Sequence, residues 1–63
     1  MFKIGDKVSF KEDMFCAVKN RMISKEEIMV IHKKALIKGT LYELRFEDGS
    51  TWLGFEHQLR AMK

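Results

Sequence analysis

Tyr42-Glu43-Leu44-Arg45-Phe46-Glu47-Asp48-Gly49-Ser50-Thr51-Trp52-Leu53-Gly54-Phe55 is the stretch whose reading decides the fold. Tyr42, Leu44 and Phe46 alternate with Glu43, Arg45 and Glu47, the period of a strand with one face buried and one face wet. Asp48-Gly49 follows, and an Asp-Gly pair between two extended runs predicts a type I′ hairpin, because both central residues of that turn need positive φ. A two-residue loop sets Phe46 opposite Thr51, Arg45 opposite Trp52, Leu44 opposite Leu53 and Tyr42 opposite Phe55. Opposed residues share a face. Leu53 and Phe55 are therefore expected inside with Tyr42, Leu44 and Phe46, and Trp52 outside beside Arg45. A slip of one residue, or a bulge, exchanges the faces and puts Trp52 inside.

Outward from this hairpin the pattern stays mainly β. Ile4, Val8 and Phe10 predict the inner face of an N-terminal strand, with Lys7, Ser9 and Lys11 toward water. Glu12-Asp13 marks a turn, and Phe15 to Ile23 reads as a second strand. Residues 24–39 carry two signals. Ser24 with Glu27 is a capping-box pattern. Glu26 and Glu27 at the start, and Lys33, Lys34 and Lys38 toward the end, suit a helix dipole. Gly39 stands where a helix-ending glycine would, and Ile28, Ile31, Ala35 and Leu36 share a helical face. The β-branched run Ile28-Met29-Val30-Ile31 suits a strand instead. The balance leans to a helix. Glu56 to Met62 is expected to close the fold, packing Leu59 and Met62 on the core. The expectation is a small barrel with a helical insertion at 24–39; the alternative is an α+β fold, one helix packed on an antiparallel sheet. Closure would remove exposed strand edges.

With 63 residues there is room for a single domain, 1–63. A domain of this size buries only about 60% of the surface its unfolded chain exposes. Apolar residues make up 46% and charged residues 33%, which argues against disorder. Cys16 is the lone cysteine, so no disulfide is expected, and a reducing, cytoplasmic setting fits. The opening residues do not read as a secretory leader, and no apolar run approaches the length of a membrane span. The net charge is +3 and is unevenly spread. Residues 14–38 hold Lys19, Arg21, Lys25, Lys33, Lys34 and Lys38 against Glu26 and Glu27, whereas residues 39–63 are slightly acidic. A basic stretch can attract phosphates or acidic proteins, or simply be a solvated face.

Gly5-Asp6-Lys7-Val8 near the start and Tyr42 to Ser50 near the end, with Leu59 beyond, resemble the SH3-like barrels of the Tudor and KOW type. The likeness covers about half the chain. It implies a non-enzymatic binder. Tudor domains hold methylated lysine or arginine in an aromatic cage; Phe46 and Trp52 match cage positions of the Polycomb-like proteins, and Phe15 a third. The Trp expected after the first strand is missing, and Glu12 stands near its place. KOW-type relatives bind RNA or the transcription and translation machinery. Phe2-x-x-Gly5-Asp6-x-Val8 also looks like the type II dihydrofolate reductases, but their Val-Gln-Ile-Tyr signature has no match; Thr51-Trp52-Leu53-Gly54 occupies that region.

The expected function is therefore a non-enzymatic binding module. It would contact nucleic acid or a nucleoprotein machine through a surface of Trp52 and Arg45 together with Lys19, Arg21, Lys33, Lys34 and Lys38. An exposed Trp suits a binding hot spot or a stacking platform, and the cations need only reach phosphates. The alternative is a protein-interaction module, a small inhibitor or assembly factor that can self-associate. His32, His57 and Cys16 lack the spacing of a metal site. No nucleophile–base pair or phosphate-binding glycine loop is present. No catalytic residue, metal or cofactor is expected.

Overall fold

A computed structural model describes residues 2–35 and 40–62. These residues are mainly β and form seven strands: β1 (Lys7–Phe10), β2 (Met14–Cys16), β3 (Arg21–Ile23), β4 (Met29–Lys34), β5 (Leu41–Arg45), β6 (Thr51–Phe55) and β7 (Leu59–Ala61). A 3-10 turn, Glu56–Gln58, joins β6 to β7. The strands form an antiparallel five-stranded sheet in the order β6-β5-β4-β1-β7 and a separate β2–β3 ribbon. The expected closed barrel is not formed: β6 and β7 end the sheet, and no described strand bridges them.

One face of the sheet meets the ribbon. Val8, Phe10, Met29, Ile31, Tyr42, Leu44, Phe46 and Leu59 from the sheet side bury together with Cys16 and Ile23 of the ribbon. The apolar alternation of the β1 and β5 segments is thus realised. Two details of the N-terminal reading change. Ile4 is exposed, because it precedes β1, and Ser9 is buried, because its hydroxyl accepts a bond from Arg60 Nε at 3.0 Å. Leu59 is buried and Met62 half-buried, with the Met62 N–H donating to the Lys7 carbonyl. The single strand expected from Phe15 to Ile23 is instead a hairpin, turning at residues 17–20.

No helix forms at 24–35. β4 is a central strand, paired to β1 on one side and β5 on the other. Two ladders satisfy its backbone, and Met29 and Ile31 enter the core, a burial that an amphipathic helix on the surface would not match. The capping signal at Ser24 is used in a single turn: its hydroxyl accepts from the Glu26 N–H at 3.1 Å and its carbonyl from the Glu27 N–H at 2.9 Å. A bulge at His32, between Ile31 and Lys33, lets the strand face inward early and outward late. Leu36 and Gly39 lie outside the described residues.

The hairpin register is the second correction. Leu44 pairs with Trp52, Glu43 with Leu53, Tyr42 with Gly54 and Leu41 with Phe55. This is one residue off the register expected from a type I′ turn. The loop is three residues long, not two. Phe46 N–H donates to the Ser50 carbonyl at 2.8 Å and Gly49 N–H to the Phe46 carbonyl at 3.0 Å. Gly49 has φ +90°, whereas Asp48 stays out of the positive-φ region. That is a type I turn followed by a left-handed glycine, the three-residue alternative for the same dipeptide. Asp48 holds the turn from outside: its carboxylate accepts the Ser50 N–H at 2.9 Å and the Ser50 hydroxyl at 2.6 Å.

Candidate functional site

The slip decides what the surface offers. Trp52 turns inward, half-buried against the core opposite Leu44, not outward beside Arg45. Leu53 and Phe55, expected inside, turn outward and stay 49% and 42% exposed. With Leu41 opposite Phe55 they form an apolar strip on the outer face of the sheet, extended by the His57 ring stacked on Phe55. The strip belongs to the edge strand. Phe46 N–H bonds to Ser50 at one end of the hairpin and Glu56 N–H to Thr40 at the other. Alternation then directs the backbone groups of Trp52 and Gly54 toward β5 and those of Thr51, Leu53 and Phe55 away from it. Phe55 N–H is taken by Gln58 Oε1 at 2.9 Å. Thr51 and Leu53 have no bonding partner on that edge among the described residues. Native edges are commonly guarded by lysine, proline or a bulge; Thr51–Phe55 contains no charged residue and no proline.

The cations of the expected basic surface are not gathered into one patch. Lys19, in the β2–β3 turn, ion-pairs with Asp48 and lies 4.9 Å from the centre of the Phe46 ring, its side chain only 14% exposed. It pins the ribbon to the β5–β6 turn. Arg21 places both guanidinium nitrogens on Glu27, at 3.1 and 3.0 Å, and this bond raises its pKa further. Lys33 faces Glu43 at 3.9 Å. Arg45 lies on the outer face with its guanidinium 2.6 Å from His32 Nδ1. Lys34 is exposed at the end of β4. Lys38 lies outside the described residues. Among the residues matched to an aromatic cage, Phe46 is buried beneath Lys19, Trp52 shares its inward face and Phe15 is exposed on the ribbon.

A groove of about 520 Å³ runs beside this outer face. Ile4, Ile28 and Val30 form its apolar side, Lys7 and Arg45 supply its cations, and His32 and the acidic Glu47 complete its polar lining. Lys7, Val30 and Arg45 lie in one cross-strand row over β1, β4 and β5. The sequence reading missed Leu53, Phe55 and this groove. The signal that could have found them is the size ranking within β6: an inward Trp52 fills more core than an inward Leu53.

The Lys19–Asp48 link has a pH signature. Lys19, and then the two Ser50 bonds, hold the Asp48 carboxyl well below the usual carboxylate range. A depressed pKa gives stability that is present above the unfolded value and lost as pH falls toward the folded one. Thermal melts of the wild type and Asp48→Asn should therefore differ at neutral pH and converge as pH drops below about 4. A gap that stays constant down to pH 2 would remove the link.

Among the described residues no helix is long and apolar enough to cross a membrane. Comparisons with family models, curated proteins and solved structures find nothing that matches this chain.

Proposed function

We propose that this chain is a non-enzymatic protein-interaction module whose contact surface is the open edge of β6 with the outward side chains Leu53 and Phe55. The observation that carries the reading is the uncharged edge itself, with free donors and acceptors at Thr51 and Leu53 among the described residues. An extended segment added there gains main-chain hydrogen bonds, and the exposed apolar side chains select what it carries. Of the two functions expected from the sequence, this is the alternative. It is favoured because Lys19 and Arg21 are each engaged by a carboxylate and Lys33 lies near one. A kinship with the SH3-like Tudor and KOW binders remains part of the proposal, resting on the Gly5-Asp6-Lys7-Val8 and Phe46-Glu47-Asp48-Gly49-Ser50 motifs.

The nucleic-acid reading retains one specific support, the Lys7–Val30–Arg45 row bordering the groove. The two readings separate in one NMR titration of the isotope-labelled chain. A short peptide alternating valine with threonine should shift the amide resonances of Thr51 and Leu53, with little dependence on salt. A single-stranded oligonucleotide that instead shifts Lys7 and Arg45, with affinity falling steeply as salt rises, would replace the protein-interaction reading with the other.

A further inference from the structure

We infer that the segment received at the β6 edge is a second copy of β6, so that two chains pair antiparallel about a two-fold axis through Leu53. The inference rests on the interaction-module reading and names its partner.

Four features of the chain point to a copy of itself. First, the backbone is self-complementary. Thr51, Leu53 and Phe55 all aim their groups off the sheet, and Leu53 is the middle one. In the two-fold pair Leu53 exchanges both bonds with the partner's Leu53, and each Thr51 N–H donates to the partner's Phe55 carbonyl. The Phe55 N–H keeps its Gln58 side-chain acceptor, so no existing bond is lost.

Second, the side chains suit each other on both faces. Outside, Leu53 meets its own copy and Phe55 meets Thr51, covering the two exposed apolar groups of the strand. Inside, the half-buried Trp52 falls opposite the partner's Gly54, which has no side chain of its own to resist a neighbouring ring. Third, no like charges are brought face to face. The strand has none, and the nearest carboxylate beyond it, Glu56, falls opposite the partner's Ser50. Like charges directly opposed across a pair are destabilising, and here the register avoids them.

Fourth, the other edge is a poorer mate. β7 has three residues, Leu59–Ala61, with Arg60 at its centre. Pairing β6 to β7 of the next chain would also be head-to-tail and would leave a growing end at each step. Pairing β6 with β6 consumes both uncharged edges and stops.

The experiment is sedimentation of the full chain over a wide concentration range, with two variants. The wild type should pass from 7.5 kDa to twice that mass as concentration rises. Leu53→Lys sets two cations against each other at the axis and should raise the dissociation constant roughly tenfold or more. Thr51→Pro removes an edge donor that has no acceptor among the described residues and should act in the same direction; circular dichroism of both variants at low concentration checks that they fold. In a mixed sample of labelled and unlabelled chain, Trp52 Hα should show an intermolecular cross-peak to the partner's Gly54 Hα. A dimer that Leu53→Lys leaves intact would overturn the self-pairing. So would a wild type that stays monomeric at millimolar concentration. If that monomer still binds the valine–threonine peptide at Thr51 and Leu53, the interaction-module reading stands without self-pairing; if it does not, both fall together.

Discussion

Phe10→Ala should leave the chain largely unfolded at room temperature. Phe10 is fully buried at the end of β1, paired with Leu59 of β7. Its ring lies 3.1 Å from the point where a side chain on Gly54 would begin, so it spans from β1 toward β6 through the middle of the core. Truncating a buried Phe to Ala costs about 3–5 kcal/mol, the lost transfer energy plus the cavity left behind. A 63-residue domain holds on the order of 3–9 kcal/mol in total. With no disulfide and a single core, nothing else can absorb the loss. Urea denaturation followed by far-ultraviolet circular dichroism should place the midpoint close to zero denaturant. A loss of less than about 1 kcal/mol would mean that Phe10 is not a core residue.

Gly54→Val should destabilise the chain, and the sign matters more than the size. A β-carbon at Gly54 would sit 3.0 Å from Leu44 Cδ1, 3.1 Å from Phe10 Cε1 and 3.4 Å from Leu59 Cδ2. The valine adds two more methyl groups to that crowded space. Overpacking of this kind costs typically about 1–3 kcal/mol, against the roughly 1 kcal/mol that a β-branched residue gains over glycine in a strand; with three side chains within 3.4 Å of the new β-carbon, the overpacking is expected to win. In the register of a two-residue turn, Gly54 would face water with Trp52. The same substitution would then stabilise the strand. Equilibrium unfolding of this one variant therefore reports which face of β6 is inside: a fall in midpoint supports the inward Trp52 and Gly54, and a rise removes them from the core.

The existence of the hairpin was legible in the sequence; its register was not, and the reason is physical. Asp-Gly suits both a two-residue type I′ loop and a three-residue loop ending in a left-handed glycine. The two differ by one residue, and a strand has period two, so the difference inverts every side chain of β6. Strict alternation on β5 kept Tyr42, Leu44 and Phe46 correctly inside, whereas β6, in which Trp52, Leu53 and Phe55 are all apolar, carried no polar alternation to choose a face. β4 was hidden for a different reason. Ser24, Glu26, Glu27, Lys33 and Lys34 satisfy the rules for helix ends, yet Met29 and Ile31 are needed between two neighbouring strands, a demand set by residues far away in the chain.

The candidate surface was distorted by the same two causes. Trp52 was placed on the wet side by the register, and its real neighbour on the inward face is Leu44. The cations form a group in the sequence but not in the fold. Lys19 is neutralised by Asp48, 29 positions away, a partnership that no local pattern announces. Arg21 finds Glu27 only six positions away, because β3 and the turn after it fold back together. What remains free of such pairing, an uncharged strand at the end of a sheet, was expected to be hidden by barrel closure.

The register of β5 against β6 is the claim on which the inward indole, the outward Leu53 and Phe55 and the open edge all depend. It is tested most directly by proton NMR, because residues opposite each other in a non-hydrogen-bonded antiparallel pair bring their Hα atoms close together. Strong Hα–Hα cross-peaks between Glu43 and Leu53 and between Arg45 and Thr51 are the expected result. Cross-peaks between Leu44 and Leu53 and between Phe46 and Thr51 would contradict it, returning Trp52 to the surface and the apolar strip to the core.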